Sequence, residues 1–302
     1  MEINVAIPTY NRPDDLRRCI DAVIKQSLVP HEVMVVDDGN LSAEMIAGLR
    51  GMLEAVGSKL VYIKKDHDRI GRGTSESRNL IMFASHNPVL VIDDDIVLDP
   101  DCILNMAKAW SESEDDSFIG VGGVISNNRH ITAPERLYNR LFSLGSESTW
   151  DINDVGYQVW DDSIKRREKG HYAHGGFCMY RPEFAREILF PVFQDGKDLL
   201  EDIHFALVAK ILGYWFIIEP KATCLHLHSK AARRGQFSSG FRESVNRKII
   251  FRDLCGQGRR NCLRFAWASF GWVLRQFLAG HFFRGAGMTA GMFAEPSRYS
   301  SA

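Results

Sequence analysis

The chain has 302 residues, 45% of them hydrophobic, and a formal net charge of −1, enough for one large globular domain with an extension or two small ones. A charge this near zero supplies no field for nucleic acid, so no nucleic-acid partner is expected. The six cysteines at 19, 102, 178, 224, 255 and 262 form no Cys-x-x-Cys pair, which disfavours a structural zinc or a redox dithiol and reads as buried small apolar residues in a reducing compartment.

Residues 3–7, 33–36, 60–63 and 89–92 are short runs rich in β-branched side chains, the pattern of parallel strands buried on both faces. The first run starts without an apolar leader, and no stretch of about 18 uncharged apolar residues occurs, so neither a signal peptide nor a spanning helix is expected. A cytoplasmic protein is the expectation. Between the strands, Leu16, Cys19, Ile20, Val23 and Ile24 repeat at helical spacing behind Pro13, Asp14 and Asp15, which suit a first turn. A second helix carries Met45, Ile46, Leu49 and Leu53. A third is predicted from Thr74 as N-cap, burying Leu80, Ile81 and Phe83. Strands alternating with helices predict an α/β fold with a mostly parallel sheet.

Beyond residue 118 the rhythm changes. A strand is predicted over 118–125, a long polar excursion over 126–170, and a glycine-containing strand over 174–180. A helix follows over 200–212, then a strand pair at 215–218 and 223–227, and a basic, then aromatic, helical stretch over 229–302.

The run at 89–92 ends in Asp93-Asp94-Asp95. Two such charges 4 Å apart repel by roughly 4 kcal/mol at an effective dielectric near 20. The cluster becomes favourable on a divalent cation, and carboxylate oxygens suit Mg²⁺ or Mn²⁺, which in turn bridge phosphates. Ligands of open α/β sheets sit at strand C-termini. Strands one and two deliver Pro8-Thr9-Tyr10-Asn11-Arg12 and Val36-Asp37-Asp38-Gly39 to that same edge. Tyr10 there can stack on a base, and Asp37 or Asp38 can accept from a base or ribose. Gly71-Arg72-Gly73, leading to Ser77-Arg78-Asn79, is a glycine-flexed loop opening a helix, with arginines for phosphate. Taken singly, each is equally a packing tyrosine, a turn or a solvated acid.

In this order and spacing the motifs resemble the inverting family-two glycosyltransferases, over roughly residues 3–228. The acidic triplet with His226 resembles the galactofuranosyltransferases in particular. The resemblance implies a GT-A, Rossmann-like fold, a nucleotide-diphosphate sugar donor (UDP favoured, as common among relatives), Mn²⁺ or Mg²⁺, and a glycan or lipid-linked glycan acceptor. Pro8, Thr9, Tyr10, Arg12, Asp37 and Asp38 would surround the base. Arg72 and Arg78 would lie near the diphosphate or base, Asp93 would face the ribose or sugar, and Asp94 would also be at the nucleotide. Asp95, with Asp93 and His226, would hold the metal; His228 is the alternative to His226. In Asp198-Leu199-Leu200-Glu201-Asp202, the Glu201-Asp202 pair matches the family's Glu-Asp motif, making Asp202 the general base that direct displacement with inversion requires. Gly175 and Gly176 would lie beside the donor sugar, and Trp160, with Trp150, could stack on an acceptor.

The implied organisation is a catalytic domain over 1–228, nucleotide-binding in 1–95 and acceptor-binding in 96–228, with an extension over 229–302. Arg233, Arg234, Arg242, Arg247, Arg252, Arg259, Arg260 and Arg264, followed by aromatic residues, suit peripheral contact with an inner membrane face. The rival readings are a sugar nucleotidyltransferase, disfavoured because residues 8–12 are no glycine-rich basic loop, and a catalytically inactive nucleotide- or sugar-binding module.

Overall fold

The computed structural model describes residues 1–115, 117–128, 130–145, 149–193, 199–229 and 235–295. Strands β1 (Asn4–Thr9), β2 (Glu32–Asp37), β3 (Lys59–Lys64) and β4 (Val89–Ile92) alternate with helices α1 (Pro13–Val23), α2 (Ala43–Glu54) and α3 (Thr74–Ala84). Then come β5 (Ile96–Leu98), α4 (Cys102–Ser111), β6 (Phe118–Ile125), α5 (Ala133–Leu141) and the hairpin β7 (Asp151–Ile152) with β8 (Gln158–Val159). After β9 (Glu168–Gly170), β10 (Phe177–Tyr180), α6 (Pro182–Ile188), α7 (Glu201–Ile211) and β11 (Trp215–His226), the helices α8 (Gln236–Leu254), α9 (Arg259–Leu278) and α10 (Phe282–Phe293) follow.

One nine-stranded sheet has the order β3-β2-β1-β4-β10-β6-β11-β5, with β9 also paired to β11. Strands β1, β2, β3, β4, β6 and β11 run one way and β5, β9 and β10 the other. The mostly parallel α/β sheet expected from the alternation is the one observed. Side-chain alternation along β1 splits the core. Val5 and Ile7 pack with α1, α2 and α4 on one face, while Ala6 packs with α3, α6, α7 and α8 on the other. All four residues of β4 are buried; burial of such side chains contributes about 1.5–3 kcal/mol each. That two-sided cover explains why β4 reads as an unbroken apolar run.

Several expectations change. Helix α3 is capped by Gly73, and Thr74 is its first residue. Its inward face carries Ser77, Arg78, Ile81 and Met82, so Phe83 points to solvent, 56% exposed. The strand predicted over 174–180 begins only at Phe177, because Phe177 N donates to His174 O at 2.9 Å and closes a turn over the two glycines. The predicted strand pair at 215–227 is one strand, β11. Both of its segments pair in parallel with β6 across a register shift between Ile218 and Thr223, which a hairpin cannot do. The excursion 126–170 contains α5, whose start is fixed by a Thr132–Glu135 capping box. Four cysteines are buried, but Cys255 is half-buried and Cys262 exposed. Asp198, Arg233 and Arg234 lie outside the described residues. Among the described residues no helix is long and apolar enough to cross a membrane.

Candidate active site

Strand direction gathers the site. The C-terminal ends of β1, β2, β3, β4, β6 and β11 share one edge of the sheet. Antiparallel β10 begins at that edge, with Phe177 opposite Ile92. Asp93 leaves β4 there, anchored by its amide donating to Gly176 O at 3.1 Å.

The acidic triplet divides by direction. Asp93, Asp95 and His226 bring one ligand atom each to within 4.8 Å of one another. His226 Nε2 lies 3.1 Å from Asp95 Oδ1, and Asp95 Oδ2 accepts the Ser229 amide at 2.8 Å. Burial alone would raise the Asp95 carboxyl, but His226 and that amide outweigh it and hold it at about 2. Asn127, just past β6, clamps the His226 backbone, accepting from its amide at 3.0 Å and donating to its carbonyl at 2.9 Å. The His228 ring stands beside His226, centroids 4.0 Å apart. Two carboxylates and an imidazole form a donor set that fits a divalent cation.

Asp94 turns the other way. It is buried, accepting from Thr9 Oγ1 at 2.8 Å and from Arg12 at 3.1 Å. Burial pushes its carboxyl up to about 6, against the pull of Thr9 and Arg12. Asp94 and Thr9, both expected at the nucleotide, therefore engage each other and fix the loop that carries Tyr10. The Tyr10 ring itself is 45% exposed at the cleft edge, next to half-buried Pro8. Asp37, expected at the base, has no exposed surface. Its oxygens accept from the Gly39 amide at 2.8 Å, the Leu41 amide at 3.0 Å and the Tyr62 hydroxyl at 2.7 Å. These bonds outweigh the effect of burial and lower its pKa. Asp38 reaches across to the next loop, accepting from the Gly73 amide at 3.0 Å. Lys65, absent from the sequence candidates, is buried behind it, its Nζ 3.3 Å from Asp38 Oδ1 and 3.2 Å from Gly73 O. Its signal was its place: β3 ends at the same edge as its neighbours. Arg72 is exposed on that loop.

Arg78, expected near the diphosphate, is buried between the two halves of the site. It donates to Glu201 Oε1 at 2.6 Å, and its other terminal nitrogen stands 3.4 Å from Asp93 Oδ1. Burial would lower the guanidinium, but Glu201 and Asp93 raise it further, so it stays charged. The glycine pair makes this packing feasible. A Cβ on Gly176 would lie 2.2 Å from Asp93 Oδ2, and one on Gly175 2.6 Å from Asp202 Cβ and 2.9 Å from Arg78. Asp202, in the first turn of α7, accepts from its neighbour Ile203 N at 2.9 Å and from the Tyr172 hydroxyl at 2.9 Å. Tyr172 is buried, and no sequence pattern marked it. Beside it His174 stands 3.2 Å from Asp162 and packs on Trp160, centroids 5.7 Å apart. Trp160 is half-buried at this end of the cleft, whereas Trp150 is fully buried and joins the core, which removes it as a sugar-stacking surface.

The sequence profile described as "Glycosyl transferase family 2" matches residues 4–189. The chain belongs to this family. It is 29% identical over 200 residues to the glycosyltransferase GlyA of Streptococcus pneumoniae, covering 65% of this chain and 27% of that protein. It is 24% identical over 248 residues to the galactofuranosyltransferase GlfT2 of Mycolicibacterium smegmatis, covering 74% of this chain and 37% of that one. The chain thus spans about a third of these relatives' length. Among solved structures it resembles the mannosyltransferase PcManGT of Pyrobaculum calidifontis, in complex with GDP-Man and Mn²⁺, with a TM-score of 0.58 at 17% identity, covering 97% of this chain and 87% of that one. It also resembles residues 1–349 of S. aureus TarS in complex with UDP-GlcNAc, with a TM-score of 0.54 at 16% identity, covering 92% and 73%. The family-two fold, a GT-A sheet flanked by helices, is therefore the one this chain adopts.

Proposed function

We propose that the protein transfers a sugar from a nucleotide-diphosphate donor, a UDP-sugar foremost, to a hydroxyl of a glycan or lipid-linked glycan, with inversion and with Mn²⁺ or Mg²⁺. Residues 1–228 form the catalytic unit on this reading and 229–302 its helical extension. The single observation that carries it is Arg78: one buried guanidinium joins the Asp93–Asp95–His226 cluster to the α7 turn bearing Glu201 and Asp202.

In this reading Tyr10 stacks on the base, Asp38 and Arg72 face the nucleotide, and Asp37, Asp94 and Lys65 hold their loops in place. Asp93, Asp95 and His226 would hold the metal, which when bound neutralises charge on the departing diphosphate. Asp202 takes the proton from the acceptor hydroxyl as its oxygen bonds to the anomeric carbon and the bond to the diphosphate breaks. Glu201 holds Arg78, and Arg78 keeps Asp93 oriented. Trp160 and His174 lie on the acceptor side.

The test is a panel of nucleotide sugars incubated with Mn²⁺ and read by nucleotide release. Asp202→Asn is expected to keep donor binding and to lower transfer by about 10²–10⁴-fold. Transfer at the wild-type rate removes Asp202 as the base, and donor binding without any release across the panel leaves a binding module.

A further inference from the structure

Helix α5 is amphipathic yet buries none of its residues, and Leu137 and Leu141 are 70% and 62% exposed. It is held on α9. The Tyr138 hydroxyl donates to Gly271 O at 2.7 Å, Trp267 Nε1 donates to Leu141 O at 2.7 Å, and Phe142 stacks on Trp267 at 4.8 Å. The joint is close: a Cβ on Gly271 would lie 2.3 Å from the Phe142 ring. Helix α9 buries Ala268, Ser269, Gly271 and Gln276. Its opposite side shows Leu263, Trp267, Phe270, Phe277 and Leu278 to solvent, a spacing that keeps them on one face. Phe282 and Phe283, in the first turn of α10, extend the face, with Phe277 and Phe282 6.3 Å apart. Monomeric soluble proteins rarely leave so many large apolar side chains contiguous and uncovered.

Charge selects the cover. From Leu254 to Ala294 the sequence has no Asp or Glu but five arginines. Arg264 pairs with Asp154, Arg284 with Glu243, and Arg275 packs on Tyr138 and Trp272, so the charge offered to a partner is that of Arg259 and Arg260. Arg259 and Arg260 are exposed at the start of α9, on the side that carries Leu263 and Trp267. A two-fold contact with a second copy would bring these arginines together without acidic partners from the same stretch. A bilayer with anionic headgroups offers both an apolar layer for the rings and phosphates for the guanidiniums. We propose that α5, α9 and the start of α10 form a docking face for an anionic membrane, lying in its interface without crossing it. Arg247 and Arg252, which also belong to the basic tail, take no part: Arg247 is buried on Tyr157 and beside Glu243, and Arg252 pairs with Asp253. Helix α5 opens the stretch of chain that carries Trp160 and Asp162, so the face and the acceptor side of the cleft share one segment. If the sugar-transfer reading holds, that arrangement suits an acceptor carried on a lipid.

The test is co-flotation of the full chain with vesicles of phosphatidylcholine alone and of phosphatidylcholine mixed with phosphatidylglycerol. Binding is expected on the mixed vesicles and to be roughly tenfold or more weaker on the neutral ones. A Leu137→Glu/Leu263→Glu/Phe283→Glu variant should lose flotation while keeping the wild-type melting temperature and Mn²⁺-dependent UDP binding. Arg259→Gln/Arg260→Gln should weaken binding roughly tenfold and flatten its salt dependence. Equal flotation of wild type and the triple-Glu variant overturns the proposal. So does absence of wild-type flotation, or a wild-type dimer that the triple variant dissolves, which gives the face to a second copy. Flotation by a chain that transfers no sugar would sink the transferase reading and leave the docking face standing.

Discussion

Gly176→Ala reaches the proposed metal cluster without removing any of its candidate ligands. The added methyl carbon would lie 2.2 Å from Asp93 Oδ2, 2.4 Å from Cγ and 2.7 Å from Oδ1, all far inside the ~3.5 Å optimum for non-bonded atoms. Because Cγ itself is too close, spinning the carboxylate in place gives no relief, and the whole side chain has to swing away. Gly176 does not sit at a positive φ, so alanine costs nothing in backbone strain and the effect is all contact. Overpacking costs about 1–3 kcal/mol. The Asp93 side chain is 36% exposed and has solvent to move into, which puts the folding cost at the low end. Metal affinity takes the larger loss, since disturbing even the partners of a ligand costs about 10–100-fold. Calorimetric titration of Mn²⁺ with UDP present should show a drop near the upper end of that range, with little change in melting temperature. Gly175→Ala is the internal control. Its methyl meets Asp202 and Arg78 instead, so turnover should fall, and Mn²⁺ affinity should drop less than in Gly176→Ala because Asp93 is reached only through Arg78. Unchanged Mn²⁺ affinity in Gly176→Ala, with the fold intact, would refute Asp93 as a ligand and the cradle argument with it.

Three further outcomes are expected. His226→Ala should weaken Mn²⁺ support of activity by about 10–100-fold and Mg²⁺ support less, since Mg²⁺ favours oxygen donors over imidazole; equal losses with both ions would remove the ring from the coordination sphere. Tyr172→Phe deletes a donor 2.9 Å from Asp202 and should lower kcat roughly tenfold with little change in donor KM, as expected for a hydrogen bond to a charged group; an unaltered kcat would make the hydroxyl purely structural. His204, on α7, is depressed from 6.5 to about 4 by burial, so the unfolded chain binds the extra proton between those values and stability falls as pH drops through that window. The full shift corresponds to roughly 3 kcal/mol, of which about 2 kcal/mol is lost by pH 5, and denaturant midpoints of wild type and His204→Gln at pH 7.5 and 5 would expose it as a smaller acid loss in the variant.

How much of this was legible in the chain depended on range. The strands at 3–7, 33–36 and 89–92 are buried on both faces, so their apolar runs announce themselves; the run at 60–63, expected to be buried likewise, is the edge strand and is only half-buried beyond Leu60. The polar residues after each run fall on one edge by topology alone. The triplet at 93–95 stands out because three adjacent carboxylates at a strand end repel one another, whereas the Glu201-Asp202 pair, ordinary in a helix's first turn, and His226 were singled out only through the resemblance. The insertion of β10 between β4 and β6 was not readable, because it pairs residues far apart in sequence and runs against them. The hydrogen-bond partners of Asp37 and Arg78 also escaped. A carboxylate or guanidinium in a motif looks exposed until its partners are known, and Arg78 finds Glu201 123 residues away. Helix α5 was missed inside the polar excursion although it is amphipathic and carries a Thr132–Glu135 capping box; it buries no residue fully and only Tyr138 packs against a core cluster.

The triplet shows how neighbouring identical groups acquire different chemistry. Repulsion among three carboxylates is the sequence argument for a cation, yet the fold relieves part of it first. Backbone alternation sends Asp94 under the β1 loop, where burial brings it to about 6. Near neutral pH a fraction of that carboxyl carries its proton, and Arg12 balances the remainder. Asp95, held at about 2 by His226 and the Ser229 amide, stays ionised at any working pH. With Asp93 beside Arg78, the two carboxylates facing the cleft, joined by one imidazole, present two negative charges to a divalent ion. A third carboxylate on that face would raise affinity for the bare ion but weaken the pull on a departing diphosphate, because the ion's charge would already be matched. On the proposed reading, with the middle aspartate turned inward, a metal held by the outer two and His226 would stay electrophilic.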